Sequence, residues 1–297
     1  MSVGELGCVD RRCDLLTRVT VETPYLSPGL SPVTARPTKR ARALGRRALH
    51  YAAGVSEQSP DHFLAVASLE GVPSAFAATR DGIDALLRDR GLRRSTPEDT
   101  ARAVLLGAAA SASLEGDEVT AEDLSEGGGG PVARGVLQMS GELLGLLPEW
   151  RRSPVQVIAR LHAVAAAASG PAAEPGRPVS PEGAARLHEL ARQLARPTRA
   201  PALVVAAVVH AEIAAAAAFA SHNGVVARAA ERLVLVASGV DPASVTVPEA
   251  GHAATPRSYQ QVLSGYAAGD TDGVHQWLLY AADAFARGAE ASPLTQR

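Results

Sequence analysis

Ser221-His222-Asn223-Gly224 form a short polar stretch between two long apolar runs, and Arg228 follows about one turn later. A loop that passes straight into a helix turns its backbone N–H groups toward one point, and that is where an anion binds. A guanidinium one turn into the helix adds a planar cation suited to phosphate or carboxylate. Ser221, Asn223, Gly224 and Arg228 are therefore the candidate phosphate- or nucleotide-binding residues, with His222 the nearby candidate for a catalytic base. His210 and Glu212 lie further back on the first apolar run, without H-E-x-x-H spacing or an evident third ligand, so no metal site is assigned. His162, a lone histidine beside apolar neighbours, reads as structural.

A second group stands upstream at Ser111, Glu115 and Gly116. Taken alone, a glutamate before a helix-ending glycine is a surface residue near a C-cap.

The elements that position these groups are helices. Alanine and leucine dominate, strand-like segments are scarce, and the class is mostly α. Residues 200–220 read as an apolar helix, the loop is expected from Ser221 to Gly224, and a second helix runs on to about Val240 with Gly239 as its cap. Ser95-Thr96-Pro97-Glu98-Asp99 marks another helix start, with proline in the first turn and acids at the positive end of the dipole. Ala75, Ala78, Ile83, Leu86 and Leu87 recur at helix spacing, as do Val132, Val136, Met139, Leu143 and Leu146. Residues 241–252 are expected to form a loop with a short extended piece. Two closing helices, about 257–268 and 272–288, carry Tyr259, Tyr266, Trp277, Leu278 and Phe285 into the core.

The chain has 297 residues, of which 46% are hydrophobic, 4% aromatic and 20% charged, ample for a buried core. Three parts are expected: a mostly disordered tail over 1–58, an N-terminal helical lobe over 59–126, and a core over 131–297, with Gly127 to Gly130 as a hinge. A net charge of −2 argues against a dedicated nucleic-acid binder. Only the basic cluster of the tail (Arg36, Lys39, Arg40, Arg42, Arg46, Arg47) offers a nucleic-acid contact, and a solvated charge run is its simpler reading. The two cysteines, Cys8 and Cys13, make no disulfide framework, so a cytoplasmic setting is expected. His210 and Glu212 fall mid-span in the most apolar stretch, which argues against a membrane helix there.

The helix, Asn-Gly loop and arginine-bearing second helix resemble the core of the Fic (Fido) family, whose signature is His-Pro-Phe-x-Asp/Glu-Gly-Asn-Gly-Arg-x-x-Arg. Phe219, Asn223, Gly224 and Arg228 match it in register. At the other positions this chain has Ala217 for the catalytic histidine, Ala218 for the proline, Ser221 for the acidic metal ligand, His222 for the first glycine and Val225 for the first arginine. Ser111, Glu115 and Gly116 resemble the family's inhibitory-helix motif, Ser/Thr-x-x-x-Glu-Gly/Asn. Leu161-His162 resembles the helix before the family's target-positioning flap, although no convincing hairpin follows Gly176-Arg177. The run from about 70 to 290 is similar to a divergent group of actinobacterial Fic-like proteins.

The resemblance implies a helical bundle with an N-terminal helical lobe, and a site that in relatives takes ATP with Mg²⁺ and transfers AMP to a protein hydroxyl. Here the residues that would take the proton and hold the metal differ. The implied protein is a relative without standard transferase activity that binds a nucleotide, another phosphate-bearing ligand or a protein partner. An active transferase of altered chemistry built on His222 and a purely structural helical module remain alternatives. The resemblance also implies that Arg228 holds a terminal phosphate or pairs with the motif glutamate, so Glu115 is expected to pair with Arg228.

Overall fold

A computed structural model describes residues 61–90, 95–168 and 174–296. The expected tail, with its cysteines and basic cluster, lies outside the described residues. Residues 59–297 form one compact unit, and among the described residues every regular element is a helix. No described helix is long and apolar enough to cross a membrane.

The helices are α1 (His62–Ala67), α2 (Val72–Arg90), α3 (Pro97–Leu114), α4 (Ala121–Ser125), α5 (Pro131–Glu142), α6 (Leu147–Trp150) and α7 (Pro154–Ala167). They continue with α8 (Pro181–Leu194), α9 (Ala202–Ala216), α10 (Asn223–Ala237), α11 (Pro248–Ala253), α12 (Pro256–Ala268) and α13 (Thr271–Glu290). Their starts follow local chemistry. Thr96 and Asp99 close a capping box on α3 with Pro97 in the first turn, Thr120 and Asp123 do the same for α4, and Ser180 caps α8.

The central pair is α9 and α10. Leu203 to Ala211 and Ile213 are all buried, so α9 is enclosed on every side, as its unbroken apolar sequence requires. Around this pair lie α12 and α13, with α7 and α8 also in contact and α3 reaching α10 from the N-terminal side. On α2 the stripe that faces inward is Val72, Phe76, Thr79, Ile83 and Leu87, with Ala75 and Leu86 partly buried beside it and Ala78 exposed.

Two stretches differ from the sequence expectation. The segment before α12 holds no extended strand: Asp241 accepts the N–H groups of Val245 and Thr246, and Pro248 then starts the short helix α11. The glycine run, read as a hinge, is tied in place. Asp117 accepts the N–H groups of Gly130 and Ala133 at 3.0 and 2.9 Å, capping α5 from the end of α3, and Gly128 N–H bonds to Asp123 O at 2.8 Å. A side chain on Gly130 would run into that Asp117 carboxylate, which is why glycine stands there.

Candidate anion-binding site

The loop between the central helices begins earlier than the polar residues suggest. Helix α9 stops at Ala216, Ala217 adopts a left-handed conformation (φ 41), and α10 starts at Asn223, so the connection is 217–222. Three contacts fix it. The side-chain amide of Asn223 grips Phe219 at both ends, accepting its N–H at 3.0 Å and donating to its carbonyl at 2.8 Å. Val179 N–H donates to Ala218 O at 2.7 Å. Gly183, at the start of α8, lies where a β-carbon would stand 2.8 Å from Ala218 Cα, so only glycine lets α8 approach this closely.

His222 is the N-cap of α10 and takes a left-handed conformation (φ 58), which explains why a glycine is favoured at that place in a tight loop. No side-chain oxygen caps the first N–H groups of α10. A carboxylate from the end of α3 lies against Gly224 in this first turn. Glu115 Oε1 lies 2.6 Å from the point where a β-carbon on Gly224 would be, and accepts from Arg228 Nη2 at 2.8 Å.

Arg228 is only 2% exposed, and every nitrogen of its guanidinium is used. Nε donates to Ser111 Oγ at 2.8 Å, Nη2 to Ser111 O at 3.1 Å as well as to Glu115, and Nη1 to Tyr259 Oη at 3.0 Å. Burial works against its charge, but Tyr259 and Glu115 outweigh it and raise the guanidinium's pKa. Ser111 and Glu115 reach Arg228 because they sit one turn apart near the end of α3. That helix closes at Gly116 (φ 85), with Asp117 N–H bonded to Ala112 O and Gly116 N–H to Ser113 O.

Ser221 is exposed, and its Oγ lies 2.7 Å from His222 Nδ1. Burial lowers the His222 pKa, with Glu115 opposing, so the ring is neutral at neutral pH. His162 stacks on Phe219 with ring centroids 4.1 Å apart and meets His222 edge-on at 6.4 Å. Its Nδ1 accepts the N–H of Gly176 at 2.8 Å, whereas its buried Nε2 has no partner among the described residues. Burial, followed by the neighbouring His222, lowers its pKa.

His210 and Glu212 part company. Glu212 bonds Arg186 at 2.7 and 3.3 Å and accepts from Tyr266 Oη at 2.7 Å. His210 faces the core instead, where it bonds Glu231 and lies 2.8 Å from Tyr259 Oη, and His252 Nε2 lies 3.1 Å from the same carboxylate. The ligating atoms of His210, Glu231 and His252 all fall within 4.8 Å of one another. The Glu231 carboxylate lies between the two rings, in hydrogen-bond contact with His210 Nδ1 and His252 Nε2. Tyr259, Glu231 and His252 were not singled out for the site from the sequence. The only signal for them was polar residues inside otherwise apolar helices.

Mg²⁺, which the fold resemblance brings with it, does not fit the donors at the loop. The acidic position is Ser221, whose hydroxyl is bonded to His222, and the carboxylate over the loop, Glu115, is committed to Arg228.

The sequence matches no family model, and no curated protein sequence matches it. Solved structures do match. A fragment of Fic-1 from C. elegans is similar at 16% identity and a TM-score of 0.59, over 87% of this chain and 78% of that one. A Fic family protein from Desulfovibrio desulfuricans G20 is similar at 18% identity and a TM-score of 0.60, over 73% and 74%. A point variant of the C. elegans protein gives 15% identity and a TM-score of 0.54, over 83% and 75%. The chain has the Fic fold.

Proposed function

We propose that this Fic-fold protein lacks standard AMP-transferase activity and uses the start of α10 with Arg228 to bind a phosphate-bearing ligand, a nucleotide or an acidic group of a protein partner. Glu115 occupies that place until the ligand displaces it. The observation that supports this reading is the Glu115 carboxylate itself, bonded to Arg228 at 2.8 Å and seated against Gly224 in the first turn of α10, whose N–H groups no side chain caps. An internal anion marks a place where an external one is stabilised by the same dipole and guanidinium. Ala217 offers no proton acceptor where relatives have a histidine, and general-base help is worth ~10²–10⁴-fold in such reactions. Ser221 and Val225 supply neither the metal carboxylate nor the second cation, so the reading involves binding rather than transfer.

Calorimetric titration of the wild type and Glu115→Gly with inorganic phosphate and with ATP tests this. Binding confined to, or much tighter in, the variant is the expected result, and no heat from either protein with either anion would remove the reading.

One observation favours the second reading, a transferase of altered chemistry. Ser221 Oγ lies 2.7 Å from the neutral His222 ring, a hydroxyl paired with a base. On that reading, labelled ATP marks the protein itself or a target, and the label disappears in His222→Ala.

A further inference from the structure

Arg228 has a second line of contacts, running away from the loop into the core. Nη1 donates to Tyr259 Oη, which lies 2.8 Å from His210 Nε2; His210 Nδ1 bonds Glu231, and His252 bonds that carboxylate from the other side. His210, Glu231 and His252 are at most 1% exposed. Elementary donor and acceptor rules place the protons. The Glu231 carboxylate can only accept, so His210 Nδ1–H donates to it; in the neutral ring Nε2 is then an acceptor, to which the Tyr259 hydroxyl donates while its oxygen accepts from Arg228. His252 Nδ1 is buried without a partner. The Glu231 carboxylate can only accept, so His252 Nε2 carries a hydrogen toward it. Burial pulls the His210 pKa down to about 4, in the same direction as this assignment.

With His210 neutral, the ring that links Glu231 to Tyr259 and Arg228 does not itself cancel the charge on Glu231. Arg232 next to it is engaged by Glu249, which accepts from Nε at 2.9 Å and also from Nη2, and by Ser244 and Thr246. Arg228 stands one turn before Glu231 on α10, on a neighbouring part of the same helix surface, and is equally buried.

We propose that Glu231 is the permanent counter-ion of Arg228, joined to it through Tyr259 and His210, and that these three positioning residues keep Arg228 aimed at the loop when Glu115 withdraws. The proposal rests on the anion-site reading above and adds what makes it workable. Removing the sole partner of a buried charge is strongly destabilising. A second carboxylate behind Arg228 lets the 29%-exposed Glu115 leave without stranding it, and the incoming anion replaces one negative charge with another.

A stability cycle on the full chain tests the proposal without any ligand. Glu115→Ala and Glu231→Gln each leave Arg228 one carboxylate, whereas the double variant leaves none. The double variant is expected to lower the folded-to-unfolded ratio at least tenfold beyond the product of the single effects, and additivity overturns the counter-ion role. Tyr259→Phe removes only the linking hydroxyl and replaces Glu231→Gln in the cycle should that variant fail to fold; the same sign of coupling is expected, and additivity again overturns the proposal. Inorganic phosphate then separates the two ideas. It is expected to bind Glu115→Ala and to bind Glu115→Ala/Glu231→Gln about tenfold more tightly, because phosphate there supplies the missing negative charge. Equal or weaker binding in the double variant contradicts the counter-ion role while leaving the anion site standing. No phosphate binding to either variant, with coupling in the cycle retained, removes the anion site and leaves the counter-ion.

Discussion

Glu115 and Gly224 come from different helices and touch: the carboxylate oxygen lies 2.6 Å from where any β-carbon on residue 224 would stand. The same oxygen accepts from Arg228 at 2.8 Å, so the absence of a side chain at 224 is what lets the end of α3 close over the start of α10. Gly224→Ala is therefore expected to push Glu115 off Arg228 and cost about 1–2 kcal/mol, within the usual range for overpacking. In a Glu115→Ala background the added methyl meets no carboxylate and the only close contact left is Arg228 Nη1 at 3.1 Å, so the cost should be smaller. Urea unfolding of the four proteins measures it, and an equal cost in both backgrounds would contradict the contact.

Asn223 serves the loop through its side chain. Its two bonds to Phe219 close 217–222 against α10, and Asn223→Ala should lose about 1–2 kcal/mol by leaving those backbone groups without partners. Asn223→Asp keeps the acceptor but not the donor and should fall between. Thermal unfolding ranks the three, and a neutral Asn223→Ala would mean that the loop is held by its other contacts.

Acid should weaken the fold through His210. Its ordinary pKa is 6.5, and burial lowers it to about 4 in the folded protein. Between these values the unfolded chain binds a proton that the folded protein refuses, so stability is full above about pH 6.5 and falls as pH drops toward 4. The loss by then is about 3 kcal/mol from this residue. His210→Gln should start less stable but show a flatter profile over that window. An unchanged slope in the variant would assign the effect elsewhere.

Much of this arrangement was legible in the sequence, and the gaps have physical reasons. Phe219, Asn223, Gly224 and Arg228 could be set in register with the Fic signature, and the resemblance of Ser111, Glu115 and Gly116 to the family's inhibitory motif pointed to Glu115 as the partner of Arg228, which the 2.8 Å contact bears out. The helix start marked by Thr96-Pro97 was readable from capping chemistry. The end of α9 was not: an alanine run carries no stop signal, and tertiary contacts to Ala218 and Phe219 decide it. The trio of His210, Glu231 and His252 lies on three helices, and no local pattern announces a contact set by their packing.

The most direct test is a crystal structure of Glu115→Gly with phosphate or a nucleotide bound. The expected result is an anion within hydrogen-bond reach of the Gly224 and Val225 N–H groups and of the Arg228 guanidinium, with Arg228 still bonded to Tyr259. An anion bound elsewhere, or Arg228 turned away from an empty loop, would contradict the account.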